Sequence, residues 1–285
     1  MSNTIREFMA RDLKVRNAAE ATQEEYLRCA RIFAEAIGVP PCRATIADIL
    51  MFLEDLVDRG VGASTLKMYV AAIKFLYGTT LGKREFAEAI PWPKMPKRLP
   101  EILSPEDVDT IILNAATDLS RVTISLAYGT GMRLGEVCNL QVKDIVSARK
   151  VIHVHEGKGS RDRFVPLCDR LLGELRDWWR LRRPAGPWIF PALRGDNERV
   201  SEATLQNGFR VAVGRAGVLK KVTFHSLRHA YATHLLESGG DIVTLQALLG
   251  HATLSTTMVY LHVRADRLAK IASPLETLPS VTASK

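Results

Sequence analysis

The chain has 285 residues, of which 47% are hydrophobic and 25% charged, a balance typical of a globular protein with room for two domains. No apolar stretch approaches the roughly 20 residues that a membrane-spanning helix needs, and residues 1–16 lack the apolar core of a secretory signal. We therefore expect a cytoplasmic protein with no membrane partner. The net charge of +8 favours a polyanionic partner, although many basic proteins bind no nucleic acid.

Four short helices are predicted between about residues 17 and 90, because apolar residues recur there at helical spacing. Helix starts are indicated at the capping pairs Thr22–Glu25 and Thr45–Asp48 and at Ser64, and stops at Gly38 and Gly60. A shorter helix is predicted around residues 86–90. Since each apolar face needs the others for burial, residues 1–92 are interpreted as a helical domain.

The segment 91–100 contains four prolines, which prevent a continuous helix, and three cations without an acid. We interpret residues 93–103 as an interdomain linker. A second interpretation adds that the linker crosses a DNA backbone with Lys94, Lys97 and Arg98 near phosphates. Other candidate phosphate contacts are Lys67, Lys74 and Arg161.

A second domain is predicted over residues 104–272, followed by a tail at 273–285. Ser104 and Pro105 have the chemistry of a helix start. Residues 150–155 and 163–166 predict a β-hairpin around the turn 157–160. Helices are predicted near 104–116, 119–128, 134–141, 168–182, 201–216, 226–238, 241–249 and 255–262.

Several residues that could have chemical roles are assigned to the core. The four cysteines form no C-x-x-C pair, which argues against a zinc ribbon or a redox motif. Cys29 and Cys138 lie on apolar faces of predicted helices. Trp178 and Trp179 are expected to fill the core and a helix interface rather than to stack on bases. We predict no metal site and no cofactor.

Tyr260 is the candidate nucleophile, because it follows two arginines and two histidines in an order that suits attack on a phosphodiester. The arginines are Arg133 and Arg228. A pentavalent phosphorus carries extra negative charge, and guanidinium groups meet that charge with paired hydrogen bonds while keeping their proton. A free phenol has a pKa of about 10, which neighbouring cations would lower toward ionisation.

The remaining candidates would handle protons or orient the arginines. His225 precedes Arg228 by three residues, so both side chains can face one site. His251 follows a glycine at a predicted helix end and could supply another donor. Lys158, at the hairpin tip, is the candidate acid for the leaving 5′-oxygen. Glu136, one helical turn after Arg133, is expected to orient that arginine or a neighbouring histidine.

Each candidate also has an ordinary structural interpretation. Taken alone, Arg133 could be a surface salt-bridge partner, Lys158 a solvated turn lysine and Tyr260 a half-buried helix residue. His229 and His234 lack a third ligand at metal spacing, and we interpret both as structural.

Together the motifs resemble the tyrosine recombinase, or phage integrase, family. The segment G-T-G-M-R-L-G-E-V at 129–137 is similar to its first arginine box, and 157–167 is similar to its lysine hairpin. The segment H-S-L-R-H at 225–229 is similar to its second arginine box, and L-L-G-H-A at 248–252 with Tyr260 completes the pattern. The resemblance covers about residues 104–265.

This resemblance implies a mainly α (α+β) protein with an N-terminal helical, SAM-like core-binding domain. It also implies a C-terminal DNA breaking-rejoining catalytic domain with a small β-hairpin or sheet. The implied reaction joins Tyr260 to a DNA 3′-phosphate, releases a 5′-hydroxyl and exchanges strands through a Holliday junction without metal or nucleotide. The implied partner is double-stranded DNA with a specific site, synapsed by a homotetramer or by a heterotetramer with a paralogue. The compact layout is similar to Xer resolvases and to recombinases carried by transposons.

Two other functions remain open at this point. A type IB topoisomerase uses similar side chains but relaxes supercoils as a monomer without synapsis. A DNA-binding regulator could retain the scaffold without turnover. A relaxation assay beside a two-site recombination assay separates the first alternative, and trapping of a covalent DNA complex separates the second.

Overall fold

The computed structural model describes residues 3–94, 101–155, 162–192 and 198–250, together with Thr253 and Thr257. The chain divides into two compact units, Met1–Leu99 and Pro100–Lys285. The division lies inside the segment 93–103 that the prolines indicated as a linker, while the domain limits 1–92 and 104–272 stay a prediction. No helix in the described ranges is long and apolar enough to cross a membrane.

The first unit consists of helices around an apolar core. Its elements are α1 (Asn3–Val15), α2 (Glu20–Ala36), α3 (Ile46–Asp58), α4 (Ala63–Phe75), a π-helical turn (Leu76–Thr80) and α5 (Arg84–Ala89). Phe33 packs edge to face against Phe52 and Tyr77, with ring centroids 5.2 and 6.2 Å away. All three rings are buried, as is Cys29 on α2. The predicted helical domain and the core position of Cys29 are confirmed.

Two predicted helix starts in this unit are wrong, and one helix was not predicted. α2 begins at Glu20 after an extended Ala19, so Thr22 lies inside it rather than capping it. α4 begins after Gly62 rather than at Ser64, because glycine is itself an acceptable N-cap. The capping box of Thr45 is confirmed, with its amide donating to Asp48 at 2.8 Å. α1 is additional and places Met9 and Leu13 in the core.

The second unit is built around α7, which is buried along most of its length. Its helices are α6 (Pro105–Leu113), α7 (Asp118–Thr130), α8 (Leu134–Cys138), α9 (Asp169–Arg182), α10 (Glu202–Arg215), α11 (His225–Glu237) and α12 (Ile242–Leu249). Helices α6, α9, α10 and α11 all pack against α7. Each predicted helix from 104–116 to 241–249 is present, although 134–141 proves shorter. The helix predicted at 255–262 lies outside the described residues, except for a helical Thr257.

A three-stranded antiparallel sheet lies beside these helices, with strands β1 (Ile145–Val146), β2 (Val151–Val154) and β3 (Arg163–Pro166) in that order. The predicted hairpin strands are thus confirmed. β1 was missed because two residues are too short to show an alternating pattern. Val154 pairs with Arg163 on the buried face, and His153 pairs with Phe164 on the outer face.

The core assignments of Cys138 and Trp178 agree with the structure. Cys138 is fully buried. Trp178 is buried and donates its indole N–H to the carbonyl of Ile189 at 2.8 Å, while Trp179 is half-buried.

Candidate active site

Arg228 is the most deeply buried cation in the described part of the chain. It lies in the first turn of α11, and only 2% of its surface is exposed. One guanidinium nitrogen donates to the carbonyl of Gly131 at 2.7 Å, and another donates to the carbonyl of Leu249 at 2.5 Å. A buried charge needs such partners, because their hydrogen bonds replace lost water. Arg228 therefore ties the end of α7 to the end of α12.

Glycine is required at position 131 for two reasons. Its φ of +67° lies in the left-handed region, where a Cβ causes strain. A Cβ there would also lie 2.4 Å from a ring carbon of Tyr231. The tight approach of Tyr231 and the turn of the backbone leave the carbonyl of Gly131 available to Arg228.

Arg133 follows this turn and is the more open of the two predicted arginines. It is the N-cap of α8, and its backbone amide donates to Glu136 Oε2 at 2.7 Å. Its guanidinium donates to Glu136 Oε1 at 2.7 Å and to the carbonyl of Gly250 at 3.3 Å. With 39% of its side chain exposed, Arg133 retains open surface on which an anion can bind.

Glu136 is buried between Arg133 and a third arginine, Arg163. The guanidinium of Arg163 donates to Oε1 at 3.0 Å and to Oε2 at 2.7 Å, a bidentate pair. Both side chains are more than nine-tenths buried. Burial opposes ionisation of Glu136, but the hydrogen bonds and charge of Arg163, together with Arg133, outweigh it and lower the pKa of the carboxyl. Glu136 is therefore ionised at neutral pH.

The three arginines meet at the C-terminal end of α12. Arg163 donates through Nε to the carbonyl of Leu248 at 2.7 Å, while Arg228 and Arg133 bind the next two carbonyls, of Leu249 and Gly250. Carbonyls at a helix C-terminus lack intrahelical donors and carry partial negative charge, so cations are stabilising there. This group of Arg133, Arg163 and Arg228 is called the three-arginine cluster. It fixes the backbone directly before His251.

Arg163 was not predicted as part of the site. The signal was available, because Arg163 shares the inward face of β3 with the apolar Val165, while Phe164 lies on the outer face. A cation on the buried face of a strand requires an anionic partner. The sequence does not identify that partner, since Glu136 lies 27 residues earlier in the chain.

The second arginine box also contains two neighbouring histidines. His225 is the first residue of α11, and its ring centroid lies 4.7 Å from that of His229, with the rings perpendicular. Desolvation, and then the charges of Arg228 and Arg133, lower the pKa of His225. Desolvation and the charges of His225 and Arg228 lower the pKa of His229 to about 4. Both imidazoles are therefore neutral at physiological pH. His234 has a separate contact, with the hydroxyl of Tyr128 at 2.9 Å.

Three of the predicted phosphate-contacting lysines lie in the described part of the first unit. Lys67 and Lys94 are exposed. Lys74 is half-buried and donates to the carbonyl of Ala87, with its ammonium 5.3 Å from the centroid of Trp92. Its charge therefore already has partners within the first unit. Outside the described residues lie Lys97, Arg98, Lys158, Arg161, His251 and Tyr260.

Two family models match the chain. The model of the phage integrase family matches residues 101–267, and the model of its N-terminal SAM-like domain matches residues 5–85. A putative integrase/recombinase of Sinorhizobium fredii is 38% identical over 279 residues, covering 96% of this chain and 89% of that protein. The tyrosine recombinase XerA of Pyrococcus furiosus is 39% identical over 227 residues, covering 79% of this chain and 78% of that protein.

The fold is also found among solved structures. A lambda integrase tetramer bound to a Holliday junction superposes with a TM-score of 0.72 at 22% identity, covering 88% of this chain and 77% of that chain. At that identity the likeness concerns the fold alone. The two family models and the two relatives together show that the chain belongs to the phage integrase family of tyrosine recombinases.

Proposed function

We propose that this tyrosine recombinase cuts and rejoins DNA at a specific site, with Tyr260 as the nucleophile and the three-arginine cluster as the support of its phosphate site. The observation that carries the residue assignment is the convergence of Arg133 and Arg228 on consecutive carbonyls just before His251. Two cations from different segments then share one location, as a single phosphate requires.

In the first chemical step the phenolic oxygen of Tyr260 attacks phosphorus. A tyrosyl–phosphorus bond forms while the bond from phosphorus to the 5′-oxygen breaks, leaving a 3′-phosphotyrosyl link and a 5′-hydroxyl. Arg133 and Arg228 stabilise the charge on the non-bridging oxygens. Rejoining is the reverse reaction with the 5′-hydroxyl of the partner strand, and exchange of both strand pairs passes through a Holliday junction. The phosphotyrosyl link conserves the energy of the broken phosphodiester bond, so the reaction needs no nucleotide cofactor.

Three further groups donate protons or hydrogen bonds in this proposal. Lys158 donates a proton to the leaving 5′-oxygen. His251 donates a hydrogen bond to a non-bridging oxygen. His225 is neutral at physiological pH because its pKa is lowered, so it can accept the phenolic proton of Tyr260 or donate to the phosphate.

Glu136 and Arg163 act as positioning residues in this scheme. Glu136 holds the backbone and the guanidinium of Arg133, and Arg163 holds Glu136. Because the pair is buried and bidentate, it restrains Arg133 without contacting substrate itself.

The DNA partner is bound by both domains, 1–92 and 104–272, joined by the linker 93–103. Candidate phosphate contacts are Lys67, Lys74, Lys94, Lys97, Arg98 and Arg161. We propose a tetramer on two synapsed sites, formed by four copies of this chain or with a paralogue, acting on the nucleoid in the cytoplasm. Lambda integrase, which shares the fold, forms a tetramer on a Holliday junction.

The proposal is tested with a nicked suicide substrate made from oligonucleotides selected by binding to the full-length protein. The expected result is a covalent protein–DNA complex that survives denaturation with wild type and is lost with Tyr260→Phe. Tyr26→Phe is the matched control, since Tyr26 belongs to the first unit and packs on Phe75. If Tyr260→Phe still forms the complex, another residue is the nucleophile.

A supercoil relaxation assay addresses the type IB alternative. We expect no relaxation of plasmids that lack the selected site, because a site-specific recombinase depends on its cognate sequence. Efficient relaxation of such plasmids, without recombination of two sites, would replace recombination by topoisomerase activity.

A further inference from the structure

The outer face of the β-hairpin brings together three metal-ligating side chains outside the three-arginine cluster. His153 and His155 alternate along β2 and its continuation, so both point to the face away from the core. Asp162 directly precedes β3, opposite His155 in the antiparallel register. Sequence spacing alone did not show this cluster, because antiparallel pairing creates it.

The distances between these groups suit a small cation. Asp162 Oδ2 lies 3.1 Å from His155 Nδ1 and 3.3 Å from His153 Nε2. One ligand atom from each residue lies within 4.8 Å of the others. Two ligands that bind Zn²⁺ tetrahedrally at their usual lengths are about 3.3 Å apart. The two pairs that include Asp162 already have about that separation.

A buried carboxylate orients one of the two imidazoles. Asp144 is 3% exposed, accepts the backbone N–H of Gln141 at 2.9 Å and contacts His155 Nε2 at 3.0 Å. A proton on His155 Nε2 satisfies this contact and leaves the lone pair of Nδ1 facing Asp162. Two acceptors that face each other at 3.1 Å need a cation or a second proton between them. A carboxylate behind a ligating histidine is the usual arrangement of metal sites.

The second imidazole is ordered by its packing. The ring of His153 stacks on Phe164, with centroids 4.7 Å apart and an interplanar angle of 19°. Its Nε2 is thereby directed toward Asp162. Preorganised ligands bind metal more tightly, because less side-chain freedom is lost on binding.

We propose that His153, His155 and Asp162 bind Zn²⁺, with a water as the fourth ligand. Asp144 is the carboxylate that contacts the ligating His155 from behind. Imidazole and carboxylate are ligands that Zn²⁺ binds well. The ion cross-links the two strands on either side of residues 156–161, so its role is structural, and no step of strand transfer uses it.

The experiment is a competition titration of Zn²⁺ against a chromophoric chelator, using the full-length protein stripped of metal and of DNA. One equivalent is expected to bind near neutral pH. Asp144→Asn should weaken binding about tenfold to a hundredfold, as loss of an outer carboxylate does. His153→Ala and His155→Ala should weaken it more.

Controls distinguish the site from other histidines. His234→Ala and His229→Ala should bind Zn²⁺ like wild type, because they lie outside the cluster. Thermal unfolding in a chelator shows whether each variant is folded, and added Zn²⁺ should raise Tm for wild type but not for His155→Ala. The proposal is overturned if wild type binds no stoichiometric Zn²⁺, if the His153 and His155 variants bind normally, or if His229→Ala removes the binding.

Discussion

The two units of the chain differ in what their cores contain. In residues 3–94 every buried side chain is hydrophobic, with Phe33, Phe52 and Tyr77 packed edge to face. The described part of the second unit also buries two arginines, Arg163 and Arg228. Burial of charge costs free energy that apolar packing would not, and we infer that these two charges have a task beyond stability.

The buried residues of the first unit stabilise the fold, whereas we propose that the buried arginines of the second unit position chemistry. In the first unit a side chain can be replaced by one of similar shape at modest cost. In the three-arginine cluster, shape is less important than the number and direction of hydrogen-bond donors.

Arg228→Lys is expected to have the largest effect on the rate of DNA cleavage. Lysine keeps the positive charge, but it lacks the planar fork that donates to Gly131 and Leu249. The rate of covalent complex formation on a suicide substrate should fall by about 10²- to 10³-fold, while DNA binding in a shift assay persists. Arg180→Lys is the matched control, since Arg180 is exposed and pairs with Asp177 on α9. Cleavage at the wild-type rate by Arg228→Lys would show that this fork is dispensable.

A double-mutant cycle at Arg163 and Glu136 should have the largest effect on stability. Either Arg163→Met or Glu136→Gln alone leaves a buried charge without its full partner, which costs about 3–5 kcal/mol of unfolding free energy. The double variant should lose clearly less than the sum of the two single losses. Urea unfolding measures all four proteins, and additive losses would mean that the pair is not coupled.

The stability contributed by Glu136 should depend on pH in one direction. The pKa of Glu136 in the folded state lies below its ordinary value of 4.5. Its ionised form therefore contributes stability that is present above about pH 4.5 and is lost as pH falls through the lower folded-state pKa. The stability difference between wild type and Glu136→Gln should shrink in that acid range. A constant difference down to that range would contradict the ionised state of Glu136.

Sequence patterns predicted the helical architecture because helix periodicity and capping are local. The Thr45 capping box and the helix start at Ser104 form as predicted, since each needs only residues close together in the chain. The starts of α2 and α4 were misplaced because several neighbouring residues can serve as the first helical residue. The two-residue strand β1 was missed because it has no periodicity to detect.

The sequence indicated residues of the candidate site only where they lie in recognisable motifs. Arg133, Glu136 and Arg228 belong to segments that resemble a family, and the structure brings all three together. Arg163 and the metal-ligand cluster depend on pairing between distant segments. Neither the register of β2 with β3 nor the approach of α12 to β3 can be obtained from residue spacing alone.

The smallest expected effect lies in the first unit, at Tyr77. Its buried hydroxyl donates to the carbonyl of Pro41 at 2.9 Å. Tyr77→Phe retains the ring and leaves that carbonyl without this donor, which should cost about 1 kcal/mol in chemical denaturation. At saturating protein, covalent complex formation should be unchanged, because the hydroxyl supports packing and not chemistry. If Tyr77→Phe slows cleavage as strongly as Arg228→Lys does, the two cores are not divided between stability and chemistry.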